Sequence, residues 1–249
     1  MTLDELKAKL DEFSPVKVEF VSRMVDSLSR PPRADTTGET WVTASPEWVE
    51  YFGLALSVHH GATPEPLALT AFEAVFRNAC EYVRWLTDPP GSLTRRFVDV
   101  TVDAAGEMRK LSLKSTAARK LSESTIHISK LTEAAWIQDA RTPSARRDAM
   151  LTLFREYREA VNAILMLRAF RQGTDVPPRR YQLVEIPGRV FDSIQDASLR
   201  DFERDAPVIE CWMDGEPVAY VAVDRSDAKI TVRRIQLSAC TVHAEWSQI

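Results

Sequence analysis

Three residues with the capacity for acid–base chemistry, Asp99, Ser112 and Lys114, fall within one stretch of alternating sequence. Apolar and polar residues alternate in two runs within residues 97–115, and a period of two predicts half-buried β-strands. Residues 104–107 separate the two runs and include a glycine, as short hairpin loops commonly do. We therefore predict a β-hairpin that places an acid, a hydroxyl and a lysine on the same polar face.

The alternating pattern also predicts the register of this hairpin. With residues 104–107 as the loop, the expected opposite pairs are Asp103 with Met108, Val100 with Leu111 and Asp99 with Ser112. Lys114 then lies diagonally from Asp99, and diagonal neighbours on one face are about 7 to 8 Å apart. A slip of one residue would bury Asp99 and expose the valines, so the pattern specifies the pairing.

This hairpin resembles the site of PD-(D/E)xK nucleases, in which an aspartate and a lysine lie on adjacent strands. In that superfamily the aspartate holds Mg²⁺, an acid two residues before the lysine completes the site, and the lysine orients or deprotonates the attacking water. Ser112 occupies the place of that second acid here. Because a hard cation needs negatively charged oxygen ligands, a metal site would require a carboxylate from elsewhere. The alternative is a solvated face on which Asp99 and Lys114 form an ion pair worth about 0 to 1 kcal/mol.

A helix predicted over residues 67–86 offers a candidate for that carboxylate. Its apolar stripe includes Leu69, Phe72 and Phe76, at three-residue and four-residue spacing. Glu73 lies on the flank of this stripe. A carboxylate turned toward a core is unfavourable unless it is paired or bound to a metal. Glu73 is therefore either a site residue or the partner of a buried arginine.

The composition is that of a folded globular protein. The chain has 249 residues, 45% of them hydrophobic and 27% charged, enough for one large domain or two small ones. No apolar run approaches the roughly 20 residues of a membrane span, and the acidic start is not a signal peptide, so we expect a cytoplasmic protein with no membrane partner. The three cysteines lack CxxC spacing and the four histidines lack HExxH spacing, so neither a disulfide framework nor a zinc site is indicated.

The charge distribution is uneven. The formal net charge is −4, which by itself argues against a nucleic-acid partner. Residues 91–130, which contain the hairpin, nevertheless hold eight Lys and Arg against four Asp and Glu. This basic segment is either a surface for phosphates or a solvated charged face.

Periodicity and turn residues predict the remaining elements. We expect helices over residues 2–13, 16–28, 46–58, 122–140 and 143–160, and buried or half-buried strands over 163–170 and 181–186. The 122–140 helix would carry Lys130 and Glu133. From residue 207 onward, short alternating runs predict an antiparallel β region that either extends the central sheet or forms a second one.

Beyond the hairpin, stretches that occur in order from about residue 51 to the C-terminus resemble a branch of the type II restriction endonucleases. The matching stretches are YFG with His59-His60, Phe72-Glu73, Asp99-x-Thr101-x-Asp103, Leu113-Lys114 with Ala117-Ala118-Arg119, Ile126 to Lys130 with Glu133, Leu167-Arg168-x-Phe170, Tyr181 to Pro187, and Cys240-x-Val242-His243-x-x-Trp246. That branch also lacks the acid two residues before its lysine. The resemblance implies an α/β fold with a restriction-endonuclease-like PD-(D/E)xK core, in which a mixed central β-sheet is flanked by helices and followed by an antiparallel β region. It also implies a single restriction endonuclease domain over 1–249, with a helical part at about 1–90, a catalytic core at about 91–190 and a late β region at about 205–249.

The resemblance implies a site and a reaction as well. It implies a Mg²⁺-dependent homodimer that hydrolyses duplex DNA at a palindrome, with 5′-phosphate and 3′-hydroxyl products and a cognate methyltransferase that shares the recognition site. Asp99 would bind the metal, Glu133 or Glu73 would supply a further carboxylate, and Lys114 would orient the water. If replacing either glutamate changes neither activity nor metal affinity, the candidates for the missing ligand become Ser112, Asp103 and Glu107. The target would be G·C-rich, CCCGGG with a blunt central cut.

Six basic residues are candidates for contacts with that DNA, because Arg and Lys read guanine and neutralise phosphates. They are Arg119, Lys120, Arg225, Lys229, Arg233 and Arg234. Three other functions remain open: a catalytically silent DNA-binding protein on the same scaffold, a nuclease with another target, and a small-molecule enzyme or interaction domain.

Overall fold

The structure, a computed structural model, describes residues 2–89, 96–173 and 176–248. Arg95, part of the predicted basic segment, lies outside these ranges. Within these ranges, four longer α-helices and one short α-helix precede or flank two β-sheets. The helices are α1 (Leu3–Asp11), α2 (Pro15–Leu28), α3 (Pro46–Ala62), α4 (Leu69–Tyr82) and α5 (Pro143–Ala160). The strands are β1 (Arg33–Thr36), β2 (Leu86–Thr87), β3 (Val100–Ala104), β4 (Glu107–Thr116), β5 (Thr125–Glu133), β6 (Ala163–Phe170), β7 (Arg180–Pro187), β8 (Val208–Met213), β9 (Glu216–Asp224), β10 (Lys229–Gln236) and β11 (Thr241–Ser247).

The central sheet is mixed and has seven described strands, in the order β1-β11-β7-β6-β4-β3-β2. The β4–β6 pair is parallel, and the other described pairs are antiparallel. All eight residues of β6 are buried, as the continuous apolar run predicts for a strand covered on both faces. The predicted α/β class with a mixed sheet flanked by helices is therefore confirmed.

Alternate residues of the central strands enter two different apolar clusters, one on each face of the sheet. Leu111, Leu113 and Leu165 pack on the face covered by α3 and α4. Ile164 and Met166 pack on the opposite face, together with α5 and the second sheet. The polar side chains of β4 point to this second face, because Ser112 lies in register with Ile164 and Lys114 with Met166.

The late β region takes both of the arrangements that its sequence left open. Strand β11 extends the central sheet by pairing with β7. Strands β8, β9 and β10 instead join β5 in a separate sheet, in the order β5-β10-β9-β8. A turn at Asp214-Gly215 joins β8 to β9, and both of its residues have positive φ.

The prediction of a helix over residues 122–140 is wrong. The segment instead forms β5 and a single 3-10 turn at Ala135–Gln138. Ile126 and Ile128 alternate inward, and the strand pairs with β10, about 100 residues later in the chain. Branched residues favour such a pleated surface, and this distant partner overrides the weak local preference for helix.

The hairpin of β3 and β4 has the predicted register, with Asp103 opposite Met108 and Val100 opposite Leu111. Its loop is shorter than the predicted four residues, because Ala104 pairs with Glu107. Ala105 and Gly106 remain as the turn, with φ of 56° and 85°. In a two-residue hairpin turn, positive φ at both central residues gives the backbone a twist that matches the right-handed twist of the two flanking strands.

Candidate active site

The structure brings Asp99, Ser112 and Lys114 together into one hydrogen-bonded cluster. Ser112 Oγ donates to Asp99 Oδ2 at 3.1 Å, and Lys114 Nζ lies 2.9 Å from Ser112 Oγ and 3.4 Å from Asp99 Oδ2. Lys114 Nζ also donates to the carbonyl oxygen of Leu113 at 3.0 Å. All three N–H groups of the ammonium thus have protein acceptors, and the contact with Asp99 is the longest of the three.

Asp99 immediately precedes strand β3, and the hydrogen bonds at the start of this strand explain why its carboxylate lies beside β4. The Asp99 N–H donates to the Leu111 carbonyl at 2.9 Å, which is the last backbone bond along this edge of β4. Strand β4 continues to Thr116 with its other edge on β6. The Leu113 N–H would lack a strand partner at the open edge, and Asp99 Oδ2 accepts from it at 2.6 Å. The carboxylate is therefore fixed by the backbone of the strand that carries Lys114.

Arg77 ties helix α4 to the same strand end. Its Nη2 donates to the Asp99 carbonyl at 2.9 Å, and its Nη1 lies 3.2 Å from Asp88 Oδ1. Asp88 Oδ1 also accepts from the Thr101 N–H at 2.9 Å. Neither Arg77 nor Asp88 was predicted from the sequence, although Arg77 follows Glu73 by one helical turn and so shares its face.

Glu73 lies on α4 beside this cluster. Partial burial raises the pKa of the Glu73 carboxyl, and the negative charge of Asp99 raises it further, while Arg77 and Lys114 lower it. Two carboxylates that disfavour each other's charge are stabilised when a cation lies between them. Glu73 is thus the acid that the fold brings toward Asp99 and Lys114.

The structure does not bring Glu133 to this cluster. Glu133 ends β5 in the second sheet, opposite Lys229 of β10, and its side chain is 68% exposed and paired with Lys130. Of the two glutamates proposed to supply the further carboxylate, Glu133 is therefore placed away from Asp99 and Lys114.

Asp103 and Glu107, the other two candidate acids, have surroundings that differ from those of Asp99. Asp103 accepts from the Gly106 N–H at 2.9 Å within the hairpin turn. Glu107 forms an ion pair with Arg109 and is 68% exposed. Both carboxylates belong to the hairpin end of β3 and β4, at the opposite end of β3 from Asp99.

The donor set around Asp99 suits a small hard cation. Within the described ranges, no group of three or more His, Cys, Asp or Glu side chains is placed to hold a metal. Mg²⁺ typically uses one or two protein carboxylates, substrate phosphate oxygens and water. Asp99 and Glu73 supply two carboxylates, and the described hydrogen bonds to the Asp99 carboxylate all fall on Oδ2. The residues present therefore fit such an ion.

A basic cavity of about 340 Å³ lies beyond the carboxyl ends of the parallel strands β4 and β6. It is lined by Arg119, Arg171, Gln172 and Gly173. Arg171 follows β6 directly and lies 3.7 Å from Glu65. Arg119 was predicted from the sequence and Arg171 was not. Ligands commonly bind at the carboxyl ends of parallel strands, and this rule could have indicated Arg171. A larger cavity of about 440 Å³, next to Trp246 and α3, contains none of the candidate site residues.

The remaining basic candidates divide between two places. Lys120 is exposed beside Arg119 in the loop after β4. Arg225, Lys229, Arg233 and Arg234 belong to the β9–β10 turn and β10 of the second sheet. Lys229 is ion-paired with Asp224 at 3.5 Å and Asp227 at 2.6 Å, whereas Arg233 and Arg234 are both exposed at a β-bulge.

The chain is 25% identical over 222 residues to the type II restriction enzyme SmaI of Serratia marcescens, a match that covers 82% of this chain and 80% of that enzyme. No family model matches the chain, and no solved structure matches it. The similarity supports a relationship to the restriction endonucleases. Separately, no described helix is long and apolar enough to cross a membrane.

Proposed function

We propose that this protein is a type II restriction endonuclease with a PD-(D/E)xK core, which hydrolyses duplex DNA at a palindromic, G·C-rich site in the presence of Mg²⁺. The observation that carries the proposal is the hydrogen-bonded cluster of Asp99, Ser112 and Lys114 at the open edge of β4. The carboxyl of Glu73 on α4 is close enough for the charges of Asp99 and Lys114 to shift its pKa. The similarity to SmaI over most of both chains supports the same class. By that similarity the target is CCCGGG with a blunt central cut.

The proposed reaction assigns a task to each residue of the cluster. Asp99 and Glu73 would hold Mg²⁺, which when bound supplies Lewis-acid stabilisation of the phosphate and a more acidic water. Ser112 holds Asp99 and Lys114 in place through its hydroxyl. Lys114 would orient the attacking water through the N–H that makes its longest contact, the one to Asp99 Oδ2 at 3.4 Å. Water oxygen forms the new P–O bond, the bond to the 3′ oxygen breaks, and the products are a 5′-phosphate and a 3′-hydroxyl.

The DNA would run past the carboxyl ends of β4 and β6. Arg119 and Arg171 line the cavity at this edge, and guanidinium groups suit phosphate oxygens. Lys120 is an additional phosphate contact, and Arg225, Arg233 and Arg234 are candidates for the groove. Lys229 is a weaker candidate because two aspartates already neutralise it. A palindrome read by identical half-site surfaces requires a two-fold homodimer, and a cognate methyltransferase would share the site.

A catalytically silent DNA-binding protein is the second candidate function. It is favoured by one observation, the serine at position 112 where the superfamily pattern has an acid. The presence of Glu73 beside Asp99 favours the working enzyme, because it restores a second carboxylate to the site.

Cleavage of a plasmid with a single CCCGGG site tests the proposal. The purified protein is incubated with this plasmid and with one that lacks the site, in Mg²⁺ or in EDTA, and product ends are sequenced. We expect a Mg²⁺-dependent linear product with blunt ends inside the site. Cleavage elsewhere would retain the chemistry and reject the target, while specific binding without cleavage would favour the silent protein. Weak binding without steep salt dependence would reject both.

A further inference from the structure

Tyr157 of helix α5 presents a buried hydroxyl that the proposed reaction does not use. The residue is 1% exposed, and its Oη has no hydrogen-bond partner in the described structure. A hydroxyl withdrawn from water without a partner is unfavourable, so an isolated phenol in this position calls for an explanation.

The surroundings of Tyr157 place it directly beneath the candidate active site. Helix α5 covers the face of the central sheet to which Ser112 and Lys114 point. The Tyr157 ring meets the edge of the Phe97 ring at 5.1 Å between centroids, and Phe97 is two residues before Asp99. Burial raises the pKa of the Tyr157 hydroxyl, a hydrogen-bonding interaction with Ser112 lowers it, and the negative charge of Asp99 raises it. Because no hydrogen bond with good geometry is formed to Oη within the described structure, Ser112 is a neighbour of this hydroxyl and not yet its partner.

The hydrogen-bonding capacity of Ser112 supplies the missing partner. A serine hydroxyl has one donor and two acceptor positions. Ser112 is 1% exposed, donates to Asp99 and accepts from Lys114, which leaves one lone pair open. We propose that Tyr157 is a positioning residue that donates its hydroxyl hydrogen bond to Ser112 in the working enzyme.

This role rests on the proposed nuclease function and adds a specific device to it. With both lone pairs of Ser112 occupied, its single proton has one remaining direction, toward Asp99. The Tyr157–Ser112 pair thereby keeps Asp99 and Lys114 in fixed relation at a position where a serine replaces an acid. The tyrosine acts through Ser112 and does not touch the substrate.

A double-mutant cycle in DNA cleavage tests this role. Tyr157→Phe, Ser112→Ala and the double variant are compared by single-turnover cleavage at saturating enzyme, with DNA affinity measured separately in Ca²⁺ or EDTA. We expect Tyr157→Phe to lower the rate constant about tenfold, the equivalent of one hydrogen bond, with DNA affinity unchanged. The double variant should be no slower than Ser112→Ala, because the tyrosine acts through the serine. Additive effects, or an unchanged rate for Tyr157→Phe, would overturn the proposal.

Tyr181→Phe is the matched control. Tyr181 is also fully buried, but its hydroxyl lies 3.0 Å from His60 Nε2 and accepts from the Leu67 N–H at 2.8 Å, on the other face of the sheet. Its loss should affect unfolding without lowering the cleavage rate constant. A purely structural role for Tyr157 would make the two variants behave alike, and that result would reject the positioning role.

Urea unfolding in EDTA without DNA separates this proposal from the nuclease function. If Tyr157 donates to Ser112, Tyr157→Phe is less stable than the wild type and this difference disappears in the Ser112→Ala background. If the hydroxyl is truly isolated, its removal leaves stability unchanged or raised, because an unsatisfied buried group is lost. The unfolding cycle gives its answer even if the wild type cuts no DNA, in which case the proposed function fails independently.

Discussion

At the scale of single residues, the ammonium group of Lys114 is held in place by three neighbouring acceptors. Its side chain is 18% exposed, and its ammonium has one backbone and two side-chain acceptors. A charge held in this way is positioned before the substrate arrives, which is the arrangement that makes a catalytic lysine effective.

Replacement of Lys114 separates catalysis from binding. Lys114→Ala should lower the cleavage rate at least about 100-fold, the usual effect of losing a positioned proton-transfer group, while DNA affinity changes little. Lys110→Ala, an exposed change on the same strand, is the control. The measurement is single-turnover cleavage alongside a binding assay, and full activity in Lys114→Ala would reject the assignment.

Replacement of the two glutamates decides which acid completes the site. Glu73→Gln should raise the Mg²⁺ concentration needed for half-maximal cleavage, about tenfold or more, whereas Glu133→Gln should behave as wild type. Isothermal titration with Mg²⁺ or Mn²⁺ gives a second readout without DNA. The reverse order of effects would return Glu133 to the site and require β5 to move.

The raised pKa of Glu73 adds a pH dependence to the same experiment. A proton on Glu73 competes with the metal, and the raised pKa means that this competition begins at a higher pH than for an ordinary glutamate of pKa 4.5. The affinity for the metal should therefore fall as the pH is lowered toward the raised pKa of Glu73. In Glu73→Gln, the affinity should depend less on pH. Parallel titrations from pH 7 to pH 5 check this.

At the scale of secondary-structure elements, the two-residue turn between β3 and β4 fixes the register that brings Asp99 opposite β4. Its two residues, Ala105 and Gly106, both have positive φ, and the Gly106 N–H is held by the Asp103 carboxylate. The β8–β9 turn uses the same conformation at Asp214 and Gly215. Glycine adopts this region without the steric strain that a Cβ introduces.

The turn can be tested by adding a side chain. Gly106→Val should lower the free energy of unfolding by about 1 to 2 kcal/mol, because a Cβ is strained at φ of 85° although the surrounding space is open. Gly173→Ala, where among the described residues a Cβ would lie 3.7 Å from Val176, is the control. Urea unfolding measures both, and an undiminished stability in Gly106→Val would show that the turn is not needed for this pairing.

At the scale of the whole molecule, a buried cluster joins the N-terminal segment to the last strand. His243 of β11 lies 2.8 Å from Thr40 Oγ1 and 3.2 Å from Glu185 of β7, and Trp41 Nε1 donates to the same glutamate at 2.7 Å. Burial by itself would raise the pKa of Glu185, but the hydrogen bonds from His243 and Trp41 outweigh it, and the pKa is lowered.

This lowered pKa predicts an acid-sensitive contribution to stability. A carboxyl whose folded pKa is below its unfolded pKa stabilises the fold at pH above the unfolded value, and this stabilisation is lost as the pH falls through the folded value. Unfolding free energy should therefore decline below about pH 4.5, the ordinary value for glutamate. Glu185→Gln should lower stability by about 1 to 3 kcal/mol at pH 7 and weaken the decline. Urea titrations between pH 3.5 and pH 7 provide the comparison.

DNA binding is also a property of the whole surface, because each phosphate contact contributes to the salt dependence. Arg119→Gln and Arg171→Gln should each reduce the slope of log affinity against log salt by about 1. Arg23→Gln, on helix α2 and paired with Glu19, should leave the slope unchanged. Fluorescence anisotropy with a duplex in EDTA measures all three, and equal slopes would exclude the cavity from the DNA path.

Local periodicity in the sequence determined much of this protein. It predicted α5 and β6 with their full bounds, the register of the β3–β4 hairpin, and the shared face of Asp99, Ser112 and Lys114. These succeed because side-chain direction repeats every two residues in a strand and about every 3.6 in a helix, so that neighbours along the chain already specify a face.

Tertiary structure alone decided which distant segments complete the site. Residues 122–140 form a strand because β10 pairs with it, and that choice removes Glu133 from the cluster. Packing of α4 and α5 brings Glu73 and Tyr157 to the two strands, and the parallel β4–β6 pair joins Arg119 to Arg171. Such contacts join positions tens to about a hundred residues apart, and their energies depend on the packed fold, so no local pattern in the chain encodes them.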